Sequence, residues 1–92
     1  MPYQIVFTES YTRRAERFIK RHPDLVGVYE KTLQLLELNP NHPALRLHKL
    51  QGRLRALYSV SVTVSYRITL SFAIIEGAIV LIDIGSHDEV YG

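Results

Sequence analysis

From Leu54 to Ile74 every even-numbered residue is apolar: Leu54, Ala56, Tyr58, Val60, Val62, Val64, Tyr66, Ile68, Leu70, Phe72 and Ile74. The odd positions from Arg53 onward are mainly polar, namely Arg53, Arg55, Ser59, Ser61, Thr63, Ser65, Arg67, Thr69 and Ser71, with Leu57 and Ala73 as exceptions. Strand side chains alternate between two faces, so the pattern describes a sheet with one apolar and one polar side. A usual strand has about 5–6 residues, so this run must turn back on itself. No Gly, Pro, Asn or Asp marks the turn. Parity locates it instead. If the even residues of both arms share one face, paired residues differ by an even number, and the connection holds an odd count of residues or a bulge. A loop centred near Thr63 meets that condition and places Arg55 and Arg67 on one polar face with Ser59 and Ser71. Glu76-Gly77 makes the next turn, and Ala78 to Ile84 is apolar enough for a strand covered on both sides.

The first half has a different period. Tyr3 to Thr8 reads as a short strand. Tyr11, Ala15, Phe18 and Ile19 then recur at helical spacing with arginines opposite. Thr8 or Ser10 suits the N-cap, and His22-Pro23 ends the helix because a residue before proline avoids the helical region. Pro23 and Asp24 fit the first turn of a second helix, whose apolar stripe is Leu25, Val28, Tyr29, Thr32 and Leu36, widened by Leu33 and Leu35. Asn39-Pro40-Asn41-His42-Pro43 is a loop. With no linker or repeat, residues 1–92 form one small α+β domain: an N-terminal strand and a two-helix hairpin packed on an antiparallel sheet, in the order β-α-α-β-β-β. The helices cover the apolar face and leave the arginine-and-hydroxyl face open.

The chain has 11 Lys and Arg against 9 Asp and Glu, a net charge of only +2, but the surplus is unevenly placed. No acid occurs between Leu38 and Ile75, while Arg46, Lys49, Arg53, Arg55 and Arg67 all do. A second basic cluster, Arg13, Arg14, Arg17, Lys20 and Arg21, is diluted by Glu16 alone. Such clusters suit a polyanion; the plainer alternative is a pair of solvated charged faces. The absence of cysteine excludes disulfides and thiolate metal sites and suits a reducing cytosol. Met1 to Thr8 is neither basic nor apolar enough for a signal peptide, and the apolar run from Ala73 to Ile84 is cut by Glu76, Gly77 and Asp83. The expected location is therefore the cytoplasm, with no membrane partner. The four histidines lack ligand spacing, no glycine-rich loop joins strand to helix, and no serine elbow occurs. No metal and no cofactor is expected.

Two segments offer chemistry. Leu47-His48-Lys49-Leu50-Gln51-Gly52 sets a histidine beside a lysine, and Ile84-Gly85-Ser86-His87-Asp88-Glu89-Val90-Tyr91 presents a histidine and a tyrosine four residues apart. Two histidines, a tyrosine and several arginines can hold and cleave an RNA phosphodiester. Attack by the 2′-hydroxyl needs a base, an acid for the departing 5′ oxygen, and cations for the phosphorane. Histidine can serve as either base or acid near neutrality. Each residue has a plainer reading. His87 can be a turn residue after a strand, His48 can close a loop, Tyr91 can plug the core, and Arg67 can pair with Asp83. His22 and His42 precede prolines and read as loop residues.

The order of elements, the length, and three stretches together resemble the RelE/ParE superfamily of bacterial toxins from toxin–antitoxin systems. The stretches are Leu47-His48-Lys49-Leu50 with Gly52, Tyr66-Arg67-Ile68, and Ile82 to Tyr91. The RelE and YafQ-like branch, whose members cut messenger RNA in the ribosomal A site without a metal, is the nearest in look; ParE-like members share the fold and poison DNA gyrase. By that resemblance His87 matches a near-terminal catalytic histidine, Tyr91 a C-terminal tyrosine, His48 the histidine of a His-x-Leu-x-Gly segment, and Arg67 an often basic position. The resemblance implies a metal-independent endoribonuclease. His87 would act as acid or base, His48 as its complement, and Tyr91 as stacking platform or proton relay. Arg67, Arg53 and Arg55 would sit on the phosphate, with Lys49 and Arg46 as further RNA contacts. The implied partners are a cognate antitoxin, mRNA and the ribosome. The chain departs from the branch at Ser61 and Ser65, where a further histidine and an aspartate are expected, and at Asp83, where an arginine is. These departures favour two alternatives, a gyrase-inhibiting toxin or an inert relic that only binds antitoxin.

Overall fold

The computed structural model describes residues 2–73 and 77–91. Ile74, at the end of the alternation, and Glu76, in the expected turn, lie outside them. Strand β1 (Gln4–Phe7) leads into helix α1 (Glu9–Arg21). Thr8 caps that helix: its Oγ1 accepts the Tyr11 amide at 3.2 Å and donates to the Leu81 carbonyl at 3.2 Å, which ties the helix start to the sheet. His22 ends α1, and a 3₁₀ turn at Pro23–Leu25 leads into helix α2 (Val26–Leu38). Tyr11, Ala15 and Phe18 are buried, as their spacing requires. The Tyr11 and Tyr29 hydroxyls join the two helices at 2.9 Å. Burial pushes both phenols above the ordinary tyrosine pKa, so the pair stays neutral.

Among the described residues the second half holds four strands rather than three. Strand β2 (His48–Lys49) is followed by a 3₁₀ turn at Gly52–Leu54, strands β3 (Tyr58–Ser61), β4 (Tyr66–Phe72) and β5 (Ala78–Ser86), and the five-residue helix α3 (His87–Tyr91). The sheet order is β1-β5-β4-β3-β2. The meander is antiparallel as expected, while β1 joins it in parallel beside β5. The chain between β1 and β5 runs through both helices and strands β2 to β4, more than long enough for that parallel return. Val60, Ile68, Leu70, Ile79, Leu81 and Ile84 form the sheet side of the core, packed with Tyr11, Phe18, Leu36 and Leu45.

Parity places the β3–β4 hairpin correctly. Val60 pairs with Ile68 and Ser61 with Arg67, so the turn centres on Val64, one residue beyond Thr63. The other arm begins later than the alternation suggests. Gly52 takes φ 68°, a left-handed value that favours glycine, and opens the 3₁₀ turn; the Leu50 amide then bonds the Leu57 carbonyl at 2.9 Å. Arg53 and Arg55 therefore ride on a hairpin loop, and Arg55 does not share a strand face with Arg67. The polar side of the sheet is also less open than its composition suggests. Ser59 and Thr69 are buried, and the Tyr91 hydroxyl reaches over to bond Ser59.

A bulge lies in the middle of the sheet. Thr69 pairs with Asp83 and Leu70 with Leu81, which leaves Ile82 extra on β5. The buried apolar side chains of β5 are Ile79 and Leu81 before it and Ile84 after it, so the extra residue switches inward positions from odd to even. Among the described residues no helix is long and apolar enough to cross a membrane.

Candidate functional site

The C-terminal end of β5 is built by four residues in series. Ser86 and Glu89 form a reciprocal capping box. The Ser86 amide donates to Glu89 Oε1 at 2.8 Å, and the Glu89 amide donates to Ser86 Oγ at 3.3 Å. Hydrogen bonding from Ser86, its backbone amide first, holds the Glu89 carboxyl below the usual glutamate range. Gly85 makes the return of Glu89 possible, since a Cβ there would stand 3.0 Å from Glu89 Cβ. His87 is consequently the first residue of α3, fixed directly after the strand. Its ring meets Tyr91 edge to face, with centroids 4.4 Å apart, and its Nδ1 lies 3.7 Å from Asp88 Oδ1. Tyr91 is anchored at both ends, by its hydroxyl on Ser59 and by its carbonyl, which accepts from Arg53 Nη2 at 3.1 Å.

His87, Tyr91 and Arg53 border an open cleft of about 530 Å³. Of the residues singled out in the sequence, His48, Lys49, Arg53, Arg67, His87 and Tyr91 all line it. The β2–β3 hairpin supplies one wall, α3 the opposite one, and β4 the floor. Arg67 lies opposite Gly85 in the sheet, so no side chain from that position overlies it, and its Nη1 donates to Ser61 Oγ at 3.2 Å. His48 Nδ1 lies 3.0 Å from the Arg46 carbonyl. A carbonyl only accepts, so Nδ1 carries the proton and Nε2 of the neutral ring keeps its lone pair. Arg46 contributes this orientation through its backbone, in a left-handed conformation at φ 51°.

Other expected groups stand elsewhere. The Arg46 side chain and Arg55 are exposed and do not line the cleft. Asp83 reaches neither His87 nor Arg67; the bulge turns it toward α1, where its Oδ2 pairs with Arg14 at 3.4 Å. Ser65 belongs to the β3–β4 turn, away from the cleft. Among the described residues no three His, Asp or Glu side chains converge as metal ligands. The residues missed in the sequence are those that hold the site, namely Ser86, Glu89 and Ser59. The Ser-x-x-Glu spacing signals a capping box, but the apolar run before it reads as strand alone. Nothing in the sequence marks Ser59 as a partner of Tyr91.

The chain folds as several solved toxins do. The E. coli DinJ–YafQ toxin–antitoxin complex contains a chain that superposes with a TM-score of 0.79 at 18% identity, with all of both chains covered. A metal-bound toxin from Helicobacter pylori gives 0.75 at 21% identity, covering 96% of this chain and 98% of its own. A YoeB/ParE toxin from Agrobacterium tumefaciens gives 0.70 at 17% identity, covering 91% and 98%. No protein-family model matches the sequence, and no curated protein matches it. At these identities the likeness establishes a shared RelE/YafQ-type fold.

Proposed function

We propose that this chain is the toxin of a toxin–antitoxin pair and an endoribonuclease that cuts messenger RNA on the ribosome, using side chains rather than a metal. The observation that carries this is the convergence of His48, His87, Tyr91, Lys49, Arg53 and Arg67 on one cleft. The volume, about 530 Å³, falls in the range of small-molecule sites and suits a nucleotide with its phosphate.

The residues divide the reaction among them. His48 Nε2, which holds the lone pair of the neutral ring when Nδ1 donates to the Arg46 carbonyl, takes the proton of the 2′-hydroxyl. The 2′ oxygen attacks phosphorus in line, the bond from phosphorus to the 5′ oxygen breaks, and His87 donates a proton to that leaving oxygen. The products are a 2′,3′-cyclic phosphate and a 5′-hydroxyl. Arg67 and Arg53 bear on the non-bridging oxygens where charge develops, and Lys49 binds the adjoining phosphate. Tyr91 offers a ring face to a base, a common way of holding unpaired RNA. The antitoxin would oppose this basic surface with acidic groups, and the complex formed by the E. coli relative is the precedent for such a partner.

Adding the purified chain to programmed ribosomes and mapping mRNA ends by primer extension tests the reading. Cuts inside the coding region, ending in cyclic phosphate, are the expected result. Intact message together with trapped gyrase–DNA complexes would replace it with the gyrase-inhibiting alternative. Inactivity toward both, with antitoxin binding retained, would leave the relic.

A further inference from the structure

A second depression, of about 380 Å³, lies against α1. Its rim is Arg14, Arg17, Arg21 and His22, and its floor includes Phe18 and Ile84. None of these lines the catalytic cleft. The three arginines fall at i, i+3 and i+7 of one helix and so share a face. Seven residues of helix rise about 10.5 Å, enough to follow more than one phosphate of an extended strand.

One carboxylate, Glu89, borders this depression, a second, Asp83, meets it only through Arg14, and both are engaged. Asp83 takes Arg14 at 3.4 Å and, through Oδ1, the Ile84 amide at 2.8 Å. Glu89 is held on the Ser86 amide. Arg17 and Arg21 form no close ion pair with a described residue, although Arg21 and His22 are near enough to Glu89 to favour its charged form. The His22 ring is set in place by Phe18 and Tyr66, each with its centroid 4.7 Å away. The result is a helix face carrying planar guanidinium forks, which match phosphate geometry and are weakly hydrated.

Helix α3 separates this depression from the cleft. His87 and Tyr91 face the cleft, whereas Glu89, two residues from each, faces the arginines. Arg67 and Gly85, paired across β4 and β5, likewise border opposite sides. The geometry points to a second RNA subsite, in which Arg17 and Arg21, beside Arg14 and His22, take phosphodiester groups of RNA that continues past the cleft and over α3. It rests on the reading of the cleft as an RNA site. RNA is favoured over an acidic protein segment because the depression adjoins the cleft and offers few apolar walls to anchor a peptide.

The test uses RNA with a 2′-deoxy residue at the cut position, so that binding is measured without cleavage. Three probes serve: a short oligomer that fills only the cleft, a longer single strand, and an RNA hairpin. The variant is Arg17→Gln with Arg21→Gln, which keeps good helix formers at exposed positions. The longer strand should bind the variant about tenfold more weakly, while the short oligomer binds both proteins alike. The salt slope should fall by about 1.4, at about 0.7 for each single-strand phosphate contact. A loss confined to the hairpin would support the phosphate site and assign its ligand to structured RNA rather than to the substrate strand. Equal affinity and slope on all three probes would overturn the inference. Lys49→Gln and Arg67→Gln, measured in parallel, separate the two readings. If they weaken binding while the α1 variant does not, only the second subsite fails; if they too change nothing, the RNA reading of the cleft fails with it.

Discussion

His87 stands with 70% of its side chain exposed, and its ring contacts Tyr91 at the rim rather than the core. His87→Ala should therefore lower single-turnover cleavage by about 10²-fold or more, the scale of losing one general acid, without shifting the thermal melt. A folded variant that cuts at the wild-type rate would remove His87 from the reaction and leave His48 to be tested. The arginines should divide as their positions do. Arg53→Gln should lower kcat/KM about tenfold, because Arg53 lines the cleft and also holds the Tyr91 carbonyl. Arg55 is an exposed charge outside it, acting only through a field that salt screens over about 10 Å, so Arg55→Gln should change little at physiological salt. Tyr91→Phe leaves the buried Ser59 hydroxyl without its partner, at a cost of roughly 1–3 kcal/mol. Adding Ser59→Ala should recover much of that loss in a denaturant titration, a result expected only if the hydroxyl pair is the cause.

At the scale of elements, a five-residue helix is marginal alone, so α3 is held by its capping box at one end and by the Tyr91 contacts at the other. Glu89→Ala should fray it and lower kcat with KM little changed, whereas Glu89→Gln preserves the cap and the rate. Acid should have the same effect as the alanine. The folded carboxyl is depressed by its bonds to Ser86, so its anchoring is complete above the unfolded value and is lost as pH falls through the folded one. The Ser86 amide resonance should therefore move only at a pH below the ordinary glutamate range in the wild type and stay fixed in Glu89→Gln. The sequence shows such elements unevenly. The α1 face and the β3–β4 hairpin are legible, because Tyr11, Ala15 and Phe18 keep helical spacing and parity confines the turn to one residue of its true centre. The β2–β3 hairpin is hidden, because Leu54 and Ala56 continue the alternation by coincidence through a turn that Gly52 opens. The bulge at Ile82 is hidden for the opposite reason: in a run apolar on both sides, one extra residue leaves no trace in the pattern. Yet that bulge decides that Asp83 faces Arg14 rather than Arg67, so the fate of one candidate site residue was not legible. The cleft's own residues were, because functional types in an otherwise patterned strand and loop stand out, while the neutral Ser59 that supports them does not.

The molecule as a whole is organised on β5. It is flanked by β1 in parallel and β4 in antiparallel register, receives the Thr8 hydroxyl from the start of α1, and delivers α3 to the cleft. Its first half, with Ile79 and Leu81 fully buried, serves the core; beyond the bulge Ile84 still packs in the core, while Gly85 and Ser86 position the cleft residues of α3. Stability and chemistry should therefore be separable along one strand. Leu81→Ala leaves a cavity against Leu70, its cross-strand partner, and should cost about 3 kcal/mol, which for a domain of this size lowers Tm by roughly 12–24 °C. The Leu81 carbonyl that accepts from Thr8 is backbone and survives the change. At a temperature well below the new Tm, the folded variant should bind and cut RNA within about twofold of wild type, because the bulge interrupts the ladder between Leu81 and Gly85. Calorimetry and single-turnover cleavage on the same preparation measure both halves of the expectation. A rate that falls in proportion to stability, with the protein still folded, would mean that the bulge transmits strain instead of absorbing it, and that the cleft depends on the packing of the entire strand.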